Sequence, residues 1–178
     1  MFEKTIKTTY YYKGRMINMR DDEVELDNGK VSRREIVEHP GAVIIVALTE
    51  NKELVFIKQF RKPVEKVIFE IPAGLVNKGE ELETAAKREL KEETGYVAAK
   101  IQKSISAYTT PGYSTEIIHY YIATDLKKEL QSFDEDEQIE AELLDLKTAW
   151  KKVSSGEIMD NKTIVGMVLA EKFLQGES

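Results

Sequence analysis

The chain has 178 residues, 42% hydrophobic and 33% charged, which fits one ordinary globular domain with a small appendage and excludes a disordered chain. Its 26 Lys and Arg against 32 Asp and Glu leave a net charge of −6, arguing against a nucleic-acid partner, because gripping a phosphate backbone needs a basic face. There is no cysteine, which excludes disulfides, thiolate catalysis and zinc–sulfur sites and suits a reducing cytoplasm.

The N-terminus, MFEKTIKTTYYYKG, lacks the apolar core of a signal peptide. The longest wholly apolar run, Ala42 to Leu48, is too short to span a bilayer, so no membrane partner is expected and the cytoplasm is the expected compartment. Lys4–Tyr12, rich in Thr and Tyr, reads as a strand. Glu23–Leu26 and Val31–Val37 flank Asp27-Asn28-Gly29, a hairpin turn because Asn and Gly tolerate positive φ. His39-Pro40-Gly41 breaks the pattern and sets a boundary, with a small antiparallel β domain at 1–40 and a larger domain at 41–178. Tyr10, Tyr11 and Tyr12 on the first strand need a surface to cover them, so a homodimer is expected.

Ala42–Leu48 and Leu54–Phe60 follow as apolar strands around the polar turn Glu50-Asn51-Lys52, and Val67–Ile71 is a third, stopped by Pro72. A loop through Gly74 and Gly79 enters Glu80–Thr94, free of Pro and Gly and therefore helical, which Gly95 ends. Val97–Ala107, Ile117–Ala123 and Ile139–Leu146 are strand-like. Two helices close the chain, Leu146–Ser154 and one after Asn161 with Ile164, Val168, Leu169 and Phe173 at helical spacing. Strands on both sides of a central helix imply a mixed α/β sandwich. Trp150 and the two histidines, His39 and His119, are read as structural residues, the tryptophan in the core.

The central helix carries an anomaly. At roughly 100° per residue, Glu89 and Glu93 fall on the arc of Leu82 and Ala86, and Glu92 sits at its edge. Three inward carboxylates repel one another, and Arg88 alone cannot neutralise them. A divalent cation could, and oxygen ligands without His or Cys point to a hard ion, magnesium or manganese, rather than zinc. On helix geometry alone, a solvated face whose glutamates pair with lysines one turn away is the stronger reading.

The full string overturns that reading. Gly74 to Tyr96 is GLVNKGEELETAAKRELKEETGY, which resembles the Nudix box: Gly74, Glu80, Arg88, Glu89, Leu90, Glu92, Glu93, Gly95 and Tyr96 stand at its positions. At roughly one-in-ten odds per site, its seven fixed identities coincide by chance about once in 10⁷ windows. Tyr96, where an aliphatic residue is usual, is the one departure and touches packing.

The resemblance implies a Nudix-type α/β/α sandwich with a mixed sheet. It also implies attack of water on the diphosphate bridge of a nucleoside diphosphate joined to another group, assisted by magnesium held by Glu89, Glu92, Glu93 and the backbone carbonyl of Ala73. Arg88 would orient the carboxylates.

Three features resemble the ADP-ribose pyrophosphatase branch. Pro111 lies fifteen residues past Tyr96, in Thr110-Pro111-Gly112-Tyr113-Ser114-Thr115-Glu116. The N-terminal strands carry Ser32-Arg33-Arg34-Glu35, and in the branch this domain crosses to the partner subunit, where the Arg-Glu pair reaches adenine. Gln59-Phe60-Arg61-Lys62-Pro63 resembles the segment that brings an arginine to the diphosphate. Arg34, Glu35, Arg61, Leu75, Pro111, Gly112 and Glu116 are therefore the expected substrate-binding residues.

The acidic loop Asp134-Glu135-Asp136-Glu137 is, by composition, a solvated charge run. By resemblance it supplies the general base, Glu135, and one more metal ligand, Glu137, with Asp134 and Asp136 as the alternates in register. The expected products of ADP-ribose are AMP and ribose 5-phosphate. Another sugar, as in GDP-mannose, and a sensor that binds ADP-ribose without cutting it are the competing readings. The intact box carboxylates favour an enzyme.

Overall fold

The β-branched and aromatic residues of the first forty positions form an antiparallel sheet in the order β1 (Glu3–Lys13), β2 (Asn18–Leu26), β3 (Val31–Glu38). These elements come from a computed structural model that describes residues 2–129 and 139–176. Gly29, at φ 76°, closes the β2–β3 hairpin, and Leu26 N–H reaches the Lys30 carbonyl at 2.8 Å. β2 begins at Asn18, five residues before the alternating run that announces it, because Gly14 N–H bonds the Ile17 carbonyl at 3.0 Å and turns the chain there.

The central strand hides two adjacent acids, Asp21 and Asp22, on opposite faces. Each is met by an arginine, Asp21 by Arg33 and Asp22 by Arg20, and the Thr8 hydroxyl donates to Asp22 at 2.7 Å. β1 is exposed along nearly its whole length, with Tyr11 and Tyr12 57% or more accessible.

The chain divides into two compact units. The first is Met1–Ala42 with Ala107–Ile118, and the second is Val43–Ser106 with His119–Ser178. Residues 107–118 thus belong with the N-terminal strands: Val37 N–H bonds the Tyr113 carbonyl at 2.8 Å, and Thr115 N–H bonds the Val37 carbonyl at 3.0 Å.

The second unit is built on two sheets. One is antiparallel, in the order β10 (Ile139–Asp145), β5 (Glu53–Arg61), β6 (Lys66–Glu70). The other runs β7 (Ala73–Leu75), β4 (Ala42–Ala47), β9 (Ile117–Lys128), β8 (Tyr96–Tyr108). β4 is apolar at consecutive positions because both of its faces are covered. Val43, Ile45 and Ala47 pack with Ala85, Ala86 and Leu90 of α1 (Leu82–Thr94). Val46 lies on the other face, against α3 (Asn161–Gln175), where Gly166 leaves room for it and for Ile71. A side chain at 166 would begin 2.2 Å from the Ile71 Cδ1 atom.

This is the mixed α/β sandwich with an antiparallel N-terminal sheet that the sequence implies. α2 (Leu146–Ser154) is capped by Asp145, whose carboxylate accepts from Thr148 N–H at 2.9 Å.

Three expectations need correction. The central helix starts at Leu82, not Glu80, since Glu80 folds back on the preceding loop. A short strand, β7, occupies what reads as loop at Gly74. Trp150 is only half buried, and its indole N–H donates to Glu171 at 2.9 Å, tying α2 to α3. Among the described residues no helix is long and apolar enough to cross a membrane.

Candidate active site

α1 sets the site because its register buries one carboxylate and half-buries two more. Glu93 is 4% accessible and accepts the Ala73 N–H at 2.9 Å. The Glu89 side chain is 14% accessible and Glu92 36%. The helix ends at Gly95 (φ 69°), whose N–H returns to the Lys91 carbonyl at 2.8 Å, so Glu92 and Glu93 sit in its last turn.

Gly74 lies directly over Glu89. A Cβ built there would fall 1.9 Å from the Glu89 carboxyl carbon and about as close to its oxygens, so only glycine admits that carboxylate against the backbone.

Arg88 gathers the cluster. Its Nε and Nη2 form a fork on Glu80 at 2.9 and 3.0 Å, and Nη1 meets Glu89 at 2.7 Å and Glu92 at 2.9 Å. Nη2 also donates to the Leu75 carbonyl at 3.1 Å. These five bonds match the five N–H donors of a guanidinium. The hydrogen bond from Arg88, aided by the Asn77 backbone and opposed by burial, holds the Glu80 carboxyl down to about 2. The same partners, Glu80 first, raise Arg88 above its ordinary value.

The Arg88 guanidinium therefore faces three carboxylates, Glu80, Glu89 and Glu92, while Glu93, a fourth on the same stretch, accepts the Ala73 N–H. Among the described residues no three carboxylates or histidines converge as a ready-made metal cage, since Glu89 and Glu92 turn to Arg88. The donor chemistry nevertheless fits a hard divalent ion. The candidate ligands are all oxygen, they carry surplus negative charge, and the Gly74 cradle leaves Glu89 room beside the backbone.

Arg61 is held by Glu70 through two bonds of 2.6 and 2.8 Å. Sequence reasoning passed over Glu70, whose one visible signal is an acid at the end of an apolar strand just before the box. Leu75 is 37% accessible.

The remaining sequence candidates lie in the first unit. Pro111 and Gly112 form the exposed tip of a turn closed by Tyr113 N–H on the Thr110 carbonyl at 3.1 Å. Glu116 accepts from the Thr109 hydroxyl at 2.7 Å. The guanidinium of Arg34 pairs with Glu3, and exposed Glu35 points to the other face of β3.

His39 also stands beside Glu116, at 3.4 Å, but its Nδ1 accepts the Gly41 N–H at 3.1 Å, which places any proton on Nε2. His119 bonds Ser106 at 2.8 Å and is held below its usual value by burial first and Lys103 second. Asp134, Glu135, Asp136 and Glu137 lie outside the described residues.

A family model, the NUDIX domain, matches residues 38–161. The ADP-ribose pyrophosphatase of Bacillus subtilis (strain 168) is 48% identical over 163 residues, 90% of this chain and 88% of that protein. A Bacillus methanolicus protein named methanol dehydrogenase activator is 45% identical over 167 residues, 93% and 90% of the two chains. A crystal structure described as an ADP compounds hydrolase shares the fold with a TM-score of 0.88 at 22% identity, covering 100% of this chain and 97% of that one.

Proposed function

This chain belongs to the NUDIX family and is a hydrolase of pyrophosphate bonds, and from that premise we propose that its substrate is ADP-ribose, cut with magnesium to AMP and ribose 5-phosphate. The observation that carries the chemistry is the set of carboxylates gathered there: Arg88 meets Glu80, Glu89 and Glu92 with a single positive charge, Glu89 lies under Gly74, and Glu93 is buried against the Ala73 N–H. The identity to the Bacillus subtilis enzyme carries the substrate.

In this reading the Ala73 carbonyl, Glu89, Glu92, Glu93 and Glu137 would hold the ion. Bound there, the ion would polarise the phosphoryl oxygens and make the attacking water more acidic. Glu135 takes the proton from that water as its oxygen bonds to phosphorus, and the bridging oxygen leaves with the other phosphate. Arg88 orients Glu89 and Glu92, Arg61 meets the diphosphate, and Leu75, Pro111, Gly112 and Glu116 are assigned to substrate. Arg34 and Glu35 serve the adenine across a dimer.

The test is a panel of nucleoside diphosphate sugars with purified protein and magnesium, with products identified. ADP-ribose should be turned over fastest. Faster cleavage of GDP-mannose would replace the substrate, and binding of ADP-ribose without cleavage would make the protein a sensor. A second reading rests on the Bacillus methanolicus relative, in which the chain raises the activity of a dehydrogenase. An unchanged methanol dehydrogenase rate on adding the protein would remove it.

Gly74→Ala is expected to lower kcat/KM by about 10- to 100-fold, the usual effect of misplacing a metal ligand's support. The new methyl would displace the flexible end of Glu89, so the melting temperature should barely move. Unchanged kcat/KM with magnesium varied would separate Glu89 from the ion.

A homodimer is also expected, since a strand exposed on both faces with three consecutive tyrosines is a poor surface to leave in water. Sedimentation of a fully active monomer at micromolar concentration would exclude both the dimer and the shared adenine site.

A further inference from the structure

Glu70 has no accessible surface, although it carries a full charge and ends a strand that starts at the exposed Lys66 and Val67. Each carboxylate oxygen is fixed. Oε1 accepts from Arg61 Nε at 2.6 Å, and Oε2 accepts from Arg61 Nη2 at 2.8 Å and from Lys162 at 2.5 Å. Lys162 is steadied in turn by Asp160 at 2.9 Å. Burial alone would push the Glu70 carboxyl up, but Arg61 and Lys162 outweigh it and leave it below its ordinary value.

A buried ion pair of this kind is weak evidence for stability, because apolar residues of similar volume often serve a core as well or better. Its effect is on Arg61. That side chain is 38% accessible, and Glu70 takes two of its five N–H groups, leaving three on the outer edge of the fork. The negative charge of Glu93 acts on the same guanidinium, as does that of Asp160. Arg61 thus lies within electrostatic reach of a carboxylate assigned to the ion, beside which bridging phosphates belong.

We propose that Glu70, clamped by Lys162, is a positioning residue that fixes the Arg61 guanidinium so that its outer N–H groups meet the diphosphate. The proposal rests on the assignment of Arg61 to the diphosphate. Lysine could not replace the arginine, because an ammonium has no planar fork for Glu70 to hold.

The test is a double-mutant cycle on whichever panel substrate the wild-type protein turns over, at saturating magnesium. Glu70→Gln is expected to raise KM about 10-fold with kcat little changed, in the range for residues that orient a contacting group. Arg61→Ala should raise KM at least as much. The double variant should match Arg61→Ala alone, because Glu70 acts only through that arginine. Additive losses, or a fall in kcat and melting temperature at constant KM, would make Glu70 a purely structural residue.

Arg61→Lys is the companion variant should Glu70→Gln fail to fold. It is expected to raise KM to a similar degree, and an unchanged KM would overturn the clamp. If Arg61→Ala itself leaves KM unchanged, the diphosphate assignment falls and takes this role for Glu70 with it.

Discussion

Glu93→Gln is expected to lower kcat by about 10³-fold, roughly the 4 kcal/mol that ion-borne charge stabilisation supplies to such a transition state. The fold should survive. A glutamine keeps an oxygen to accept the Ala73 N–H, and removing one negative charge from the side of the helix that also carries Glu89 and Glu92 relieves repulsion in the protein without its ion. The expected pattern is therefore an unchanged or slightly raised melting temperature beside near-complete loss of turnover. Near-normal kcat at saturating magnesium would mean that the carboxylates of α1 do not hold a catalytic ion.

Glu135→Gln is expected to lower kcat by about 10²–10⁴, the range for a positioned general base. KM should change little, because the side chain would touch the attacking water and not the substrate. Glu137→Gln should instead raise the magnesium needed for half-maximal rate, since a lost oxygen ligand weakens the site. The two phenotypes differ, so together they also fix the register of the acidic loop. If both variants match wild type, the loop is a solvated charge run and the base lies elsewhere. Glu92 is then the first residue to change, because at 36% accessibility it is the most water-exposed of the three helical carboxylates.

Where the sequence was legible, the signals were local and physical. Gly29 and Gly95 mark a hairpin and a helix end because both need positive φ, and both have it. The apolar run Ala42–Leu48 shows a strand buried on both faces, since no polar residue interrupts it. The spacing of Glu89, Glu92 and Glu93 places them on one side of the helix, and their accessibilities follow that placement.

What stayed hidden depended on residues far apart in the chain. Glu80 reads as helical because nothing nearby says otherwise. Only the fork from Arg88, eight residues on, draws it into the loop, and the helix then starts after Glu81 with no side-chain cap to announce it. Glu70 looks like an ordinary strand-end acid until Lys162 arrives from another element to meet it. Likewise the turn at Pro111 marks a loop, but its membership in the first unit follows from bonds to Val37, more than seventy residues earlier.

The start of α3 reaches further than the helix itself. Asp160 caps Thr163, and the Thr163 hydroxyl accepts the Ile71 N–H at 2.9 Å. Two residues on, Ala73 is tied to Glu93 of α1, while Gly166 makes room for the Ile71 side chain. The segment that carries Ala73 and Gly74 is thus stitched to one helix at its start and another at its end. Neither helix can peel away while that backbone keeps its place. The α1 carboxylates proposed to hold the ion are thereby tied, through Ile71 and Ala73, to the first turns of α3, so loosening that helix start is expected to be felt at the Ala73 segment some ninety residues earlier.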